Sequence, residues 1–372
     1  MRWRGGVSYH PVVAIGRSVT PQDKTQPNAS APVRVAVLGC GKLATEVLLP
    51  ILTRMAEVEV SVVADVDEGA RARAHALAPA ASPVTDWRDA IAAHVHAAIV
   101  ALPTAMHAEA ARMAIELKRH VYLEKPIAAT VEQGHAVLEA YRNAPRPAPA
   151  AMVGFNYRFN PLIAQLRRRI RAGEIGAMRA IRTVFSTKAA PGATWRRPDA
   201  QGGGVLLDLG SHHVDLMRYL TGDEIAFVSA QRTMSSDGAE HVAATIQMAR
   251  GAVVHSVFAT GTDDEDRIEI EGERGRLAID RYRSWVVHRH TAGSPAPFGK
   301  LRELAGWRYA IEKQRAPWHE PSFAWALAAF VSTTRGAAPE GASLDDGLKS
   351  LLAIDAAERS CRNGGAVAVA GA

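Results

Sequence analysis

Up to Phe155 the apolar residues of this chain come in short, nearly continuous runs. Val33, Val35, Val37 and Leu38 make the first run, Val58 to Ala64 the second, Ala97 to Leu102 the third, His120 to Leu123 the fourth and Ala151 to Phe155 the last. Runs of this length, apolar on both faces, predict strands buried in a parallel sheet. The stretches Leu43 to Met55, Ala105 to Lys118 and Val131 to Arg142 predict helices between them. Strands alternating with helices predict an α/β unit with a doubly wound parallel sheet, the Rossmann arrangement. After Phe155 the rhythm changes. A helix at Pro161 to Ala172, a strand at Met178 to Thr187 and a helix from about Val205 to Leu220 come first. Strand-like runs follow at Ala226 to Met234, His241 to Met248, Ala252 to Thr260, Arg267 to Glu271, Arg276 to Asp280 and Trp285 to His290. Arg250-Gly251 and Arg274-Gly275 stand where hairpin turns would fall. This half reads as a second α+β domain with a mainly antiparallel sheet, closed by helices at Pro321 to Thr334 and Leu344 to Arg359.

A chain of 372 residues suits two domains, each with its own core. The reading is a disordered N-terminal tail over 1–32, a dinucleotide-binding domain over 33–153 and a substrate-binding domain over 154–372. The formal charge of +6 is modest for this length, and the basic residues form no long block. No nucleic-acid partner is therefore expected. No apolar run approaches the roughly 18 residues of a membrane span, so no membrane partner is expected either. The two cysteines, Cys40 and Cys361, form no C-x-x-C motif. The expectation is a reducing cytoplasm and no metal site.

The first strand runs into Gly39-Cys40-Gly41-Lys42-Leu43-Ala44, which fits G-x-G-x-x-G/A. Gly39 permits the tight turn, Gly41 lets the backbone approach a pyrophosphate, and Ala44 lets the helix pack on the strand. The helix N-terminus offers N–H groups to the phosphates. The second strand ends at Asp65, placed to accept hydrogen bonds from the adenosine ribose hydroxyls, which favours NAD. The alternative is that Asp65 only caps the next helix, as Asp67 equally could. Arg71 and Arg73 keep NADP open.

Asp208, His212 and Asp215 are spaced i, i+4, i+7, which predicts one helical face. A carboxylate one turn from an imidazole can fix its tautomer and raise its basicity. A solvated polar face is the alternative reading of that spacing. Lys125 lies just past a strand end, near the expected nicotinamide end of the cleft, where it could stabilise a developing alkoxide. A surface lysine in a turn is the equal alternative. The loop Thr194 to Pro198 brings Trp195 and Arg196 before the glycine run, either as pocket lining or as loop surface.

Three motifs in order complete the pattern: Gly39-x-Gly41-x-x-Ala44, Glu124-Lys125-Pro126, and Gly202-Gly203-Gly204-x-x-x-Asp208-x-x-x-His212-x-x-Asp215. Together with Pro103-Thr104-Ala105-Met106-His107 and Gly154-Phe155-Asn156-Tyr157-Arg158-Phe159-Asn160-Pro161, they make the chain resemble the Gfo/Idh/MocA oxidoreductase family from about Val33 to Val369. The resemblance implies a Rossmann domain followed by a domain with an open-faced sheet that mediates homodimer or homotetramer contacts. It implies NAD held by Gly39, Gly41, Lys42, Leu43, Ala44 and Asp65. Leu102, Pro103, Thr104, His107, Glu124, Lys125, Asn156 and Arg158 would complete that cofactor site. It further implies Lys125 on the reacting oxygen, and His212 as general acid/base with Asp208 orienting it and sharing substrate contacts. The activity implied is hydride transfer between nicotinamide and a secondary alcohol or ketone of a sugar, cyclitol or sugar derivative. An NAD-dependent glycoside hydrolase and a non-catalytic NAD/sugar sensor are the rival readings.

Overall fold

The computed structural model describes residues 31–188, 204–290 and 304–371. Two sheets organise them. The first has the strands β1 (Val33–Leu38), β2 (Val58–Ala64), β3 (Ser82–Val84), β4 (Ala97–Val100), β5 (His120–Leu123) and β6 (Ala151–Val153). Their spatial order is β3-β2-β1-β4-β5-β6, and every pair is parallel. The order reverses between β1 and β4, the point at which sheets of this kind form a ligand crevice outside the carboxyl ends of their strands. All four residues of β4, and five of the six in β1, are buried. That explains why these strands read as continuous apolar runs.

The turn after β1 needs glycine at its first position. Gly39 has φ of +87°, and a Cβ there would lie 2.4 Å from the Ala101 carbonyl oxygen just past β4. The two central strands can converge at the crevice only if that side chain is absent.

The helix expected at Leu43 to Met55 is shorter and less regular. A wide π-type turn, Ala44–Leu48, leads into a short α-helix, Leu49–Leu52. Pro50 is the cause: it has no N–H to donate back to Glu46, and its ring would crowd that carbonyl. The helix Glu68–Leu77 is the one that Asp65 or Asp67 was expected to cap, read without bounds, and Trp87–Ala92 was not expected. The first buries only Ala70 and Ala74, too little to mark a face in the sequence. Both are capped by aspartates, Asp67 on Ala70 N and Asp86 on Arg88 N.

The second sheet has eight strands: β7 (Met178–Thr187), β8 (Ile225–Met234), β9 (Glu240–Met248), β10 (Val253–Thr260), β11 (Glu265–Gly272), β12 (Gly275–Asp280), β13 (His288–His290) and β14 (Ala366–Ala368). Their order is β13-β12-β11-β7-β10-β9-β8-β14. All pairs are antiparallel except β7 with β10. Burial alternates along β9 and β11, because one face lies against helices and the other is open. The open face carries Phe227 and Val257, both exposed. The covered face packs against the helices Pro161–Arg171, Ser211–Thr221 and Leu344–Asn363.

The chain does not stay within its two halves. The helix Ser322–Thr334 places Phe323, Ala326, Leu327, Phe330 and Val331 in the same cluster as Val33, Val35, Val37, Ala44 and Tyr122 of the first unit. Phe330 meets Tyr122 edge-on, with ring centroids 5.6 Å apart. A division at residue 153 therefore leaves out one of the layers that covers the first sheet.

Gly39→Ala is expected to destabilise the protein by on the order of 3 kcal/mol, because strain and overlap with Ala101 act together. Urea unfolding checks this, and a change under 1 kcal/mol would mean that the turn tolerates a side chain.

Candidate active site

The site is built from the ends of four strands and one helix. At the end of β1, the Cys40 N–H donates to Asp65 Oδ2 at 2.7 Å, and the Asp67 N–H donates to Asp65 Oδ1 at 2.9 Å. Asp67 accepts from Ala70 N at 2.6 Å and is the helix cap, so Asp65 is not needed for that purpose. Each Asp65 oxygen keeps acceptor capacity for a hydroxyl pair. Arg71 folds back to donate to the Asp65 main-chain oxygen at 2.7 Å. A Cβ on Gly41 would meet nothing within 4 Å, so the backbone of the turn is bare at the point where a pyrophosphate would approach. Lys42 is exposed, Leu43 half-buried, and Ala44 fully buried under the sheet. The turn, the bare backbone and the placed carboxylate fit a dinucleotide. Cys40 takes no part through its thiol. Burial, reinforced by Asp65, pushes that thiol up to about 12.

After β4, Leu102, Pro103 and Thr104 form the next edge of the crevice, Thr104 buried and Pro103 exposed. His107 departs from the expected cofactor contact. Its Nδ1 lies 2.7 Å from the Pro126 carbonyl oxygen and its Nε2 2.9 Å from that of Leu102. Both nitrogens face protein, so His107 joins the β4 and β5 loops and leaves no nitrogen for a ligand. Burial pushes its imidazole toward the neutral form, which donates to one of the two carbonyls.

After β5, Lys125 Nζ donates to both the main-chain oxygen and Oδ1 of Asp208, each at 2.8 Å. The lysine side chain is 15% exposed and the aspartate 31%. Asp208 lies inside a second π-type turn, Leu206–Gly210, which leads into the helix Ser211–Thr221. The widened turn presents its carbonyl to the lysine. Such turns recur at functional sites because they aim groups that a regular helix would keep for itself. Behind Lys125, Glu124 is buried, accepts from the Lys125 N–H at 3.3 Å and leaves Oε1 without a partner. Burial pushes its carboxyl up to about 7, against the opposing pull of Lys125. Gly154 backs it, and a Cβ there would come within 3.0 Å of the carboxyl group.

The expected face of Asp208, His212 and Asp215 divides. Asp215 is 1% exposed and takes both Arg158 donors, Nε at 2.8 Å and Nη2 at 2.5 Å. The reason is that residues 211–218 are all buried: the helix has no solvated face for a polar stripe to occupy. Arg158 also reaches Asp346 at 3.3 Å, so its guanidinium serves an interior ion-pair network rather than the crevice. Asn156 is likewise buried, with Nδ2 donating to Ser322 Oγ at 2.9 Å. Trp195 and Arg196 lie outside the described residues.

His212 is held by rings. Tyr157 stacks on it with centroids 4.2 Å apart and planes 21° apart, and Phe155 and Phe185 stand at 6.2 Å. Its Nδ1 is buried without a hydrogen-bond partner. Burial, then the cations Lys125 and Arg281 and the neighbouring His213, push its imidazole well below the ordinary histidine value. His213 turns away to meet Asp266 Oδ1 at 2.9 Å. Asp266 also accepts from Arg281 Nε at 2.7 Å, and Arg281 pairs with Glu320. Sequence reading missed Asp266 and Arg281. The signal was present: both continue the inward register of alternating strands, after Ile270 and Ile268 in one and after Leu277 and Ile279 in the other.

Among the described residues no three His, Cys, Asp or Glu side chains cluster as metal ligands, and no helix is long and apolar enough to cross a membrane.

Residues 33–149 match the oxidoreductase family with an NAD-binding Rossmann fold, and residues 163–278 match the GFO/IDH/MocA C-terminal domain. An inositol 2-dehydrogenase of Rhizobium meliloti (strain 1021) is 27% identical over 340 residues, covering 88% of this chain and 96% of the relative. An inositol 2-dehydrogenase of Mycolicibacterium smegmatis is 30% identical over 294 residues, covering 76% and 82%. The crystal structure of the WlbA dehydrogenase from Bordetella pertussis, in complex with NADH and UDP-GlcNAcA, superposes with a TM-score of 0.78 at 22% identity, over 92% of this chain and 99% of that one. At that identity the likeness is one of fold.

Asp346 gives a pH-dependent prediction. Burial would raise its carboxyl, but Arg158, the Ser343 N–H and Arg218 override it and hold it at about 2. A carboxylate depressed on folding stabilises above its unfolded value and loses that contribution as pH falls through the folded one. Asp346→Asn is expected to cost about 2 kcal/mol near neutrality, a difference that shrinks between about pH 4 and pH 2. Denaturant unfolding of both proteins across that range reads it. A difference constant with pH would rule out the charge as its source.

Proposed function

The chain belongs to the Gfo/Idh/MocA family of NAD-binding oxidoreductases, and from that premise we propose that it interconverts a secondary alcohol and a ketone on a cyclitol or sugar. Its relatives named inositol 2-dehydrogenase support a cyclitol as the first substrate to test. Residues 33–153 carry the cofactor side of the site and 154–372 the substrate side, with the helix Ser322–Thr334 bridging them. The backbone of Gly39 to Ala44 would hold the pyrophosphate, and Asp65 the ribose hydroxyls of NAD. Arg71, bonded to the main chain beside Asp65, keeps NADP open as a second cofactor.

One observation supports the chemistry most directly. Lys125 Nζ has three donors, and among the described residues Asp208 takes two of them from one side. The third remains for a substrate oxygen. Bound nicotinamide supplies the hydride acceptor, as its chemistry requires. Lys125 holds the reacting oxygen and stabilises the negative charge that develops on it. His212, kept neutral by burial and by its cationic neighbours, receives the hydroxyl proton. Asp208 fixes the lysine and shares its charge, a role different from the expected orientation of His212. The open sheet face bearing Phe227 and Val257 is the surface proposed for contacts with a second copy. The free thiols Cys40 and Cys361 suit a reducing cytoplasm.

Purified protein with NAD and pooled inositols, aldoses or uronic acids is expected to raise absorbance at the reduced-nicotinamide band. Lys125→Ala is expected to lower kcat by about 100-fold or more while still binding NAD. Wild-type turnover by that variant would overturn the assignment. Glycoside cleavage without net NADH would replace it with the hydrolase reading.

A further inference from the structure

A general base is ordinarily held by a hydrogen bond from its second nitrogen to a carboxylate or carbonyl. His212 has none: Nδ1 is buried and unpartnered. Its ring instead lies almost parallel to Tyr157, 4.2 Å away, with Phe155 and Phe185 at its sides. Tyr157 is itself fixed. Its hydroxyl accepts from Arg281 Nη2 at 2.8 Å, and the same guanidinium lies 3.8 Å from its ring centroid. Arg281 cannot drift, because Asp266 and Glu320 hold it while Lys313 Nζ donates to its main-chain oxygen at 2.6 Å. Asp266 in turn holds His213, the next residue along the helix from His212. A closed circuit thus leads from Tyr157 through Arg281 and Asp266 back to the helix that bears the base.

We propose that Tyr157 is a positioning residue for His212: its ring, clamped by Arg281, sets the plane of the imidazole and seals it from water. The inference rests on the assignment of His212 as acid/base. The charged and titratable groups around His212 are Lys125 with its partner Asp208 at the β5 end, Arg281 after β12, His213 on its own helix and Tyr157 itself. Of these, only Tyr157 covers the ring face. Its removal admits water, and the imidazole then rises toward its ordinary value near 6.5.

Three variants test this in the full-length protein with NAD. Tyr157→Leu removes the ring. It is expected to lower kcat by about 100-fold with KM for NAD unchanged, and to move the acid limb of the kcat/KM profile up by about one pH unit. Tyr157→Phe keeps the stack and loses only the hydroxyl, so its turnover is expected within about threefold of wild type, with the acid limb in place. A folded, NAD-binding Tyr157→Leu with wild-type kcat and pH profile would overturn the proposal. Should that variant fail to fold, the wild-type protein decides by NMR. The His212 ring protons, assigned by their loss in His212→Asn, are expected upfield under the tyrosine ring current, and unshifted signals would overturn the stack. His212→Asn also separates the two ideas. If it turns over at the wild-type rate, the acid/base assignment fails, whereas an inactive His212→Asn beside an unaffected Tyr157→Leu defeats this inference alone.

Discussion

A guanidinium with almost no water around it must find carboxylates, and Arg281 finds them on separate stretches of chain. Asp266 comes from β11 and Glu320 from just before the helix Ser322–Thr334. Ion pairs of this kind contribute little net stability, because desolvation offsets most of the attraction, but removing one partner is costly. Their effect is one of geometry. Glu320 also accepts from Asn160 Nδ2 at 3.0 Å, and Asn160 donates to Tyr309 at 3.1 Å. Arg281 therefore ties together the second sheet, the segment that follows β6 and the start of the helix that crosses back onto the first sheet. The position of the candidate base relative to the glycine turn follows from those ties.

Much of the architecture was legible. Continuous apolar runs marked β1, β2, β4 and β5, and successive strand-like runs with glycine turns marked the second sheet, whose burial alternates. Both patterns survive in the structure because burial on two faces and burial on one leave different imprints. What escaped was weakly patterned. The extent of the helix Glu68–Leu77 was not readable because it buries two alanines, and β14 has three residues, one of them half-buried. Pro50 did carry a warning inside an expected helix, and the π-type turn is how the chain accommodates it.

The candidate site shows a different limit. Spacing in sequence showed that Asp208, His212 and Asp215 were near one another, but not what each would face. A regular helix was the assumption, and a widened turn with no exposed side removed it. Asp208 went to Lys125, 83 residues earlier, and Asp215 to Arg158, 57 residues earlier. Partners so distant leave no periodic trace. Asp266 and Arg281, by contrast, were visible as charges standing in apolar register, a violation of local pattern that marks places where structure serves something besides the core.

The helix Ser322–Thr334 also bears on how the chain acquires its shape during synthesis. It completes the cover on one side of the first sheet, yet the ribosome makes it more than 160 residues after β6, the last strand of that sheet. Throughout that interval the nascent first unit has its own helices Leu49–Leu52 and Glu68–Leu77 on that side, but the apolar surface around Tyr122 that the late helix covers stays exposed. N-terminal units generally fold as they emerge, but here the early unit waits for a late one. Folding on the ribosome is thereby coupled to completion of the second sheet, and a chain cut short before residue 322 would present that apolar surface to chaperones and proteases.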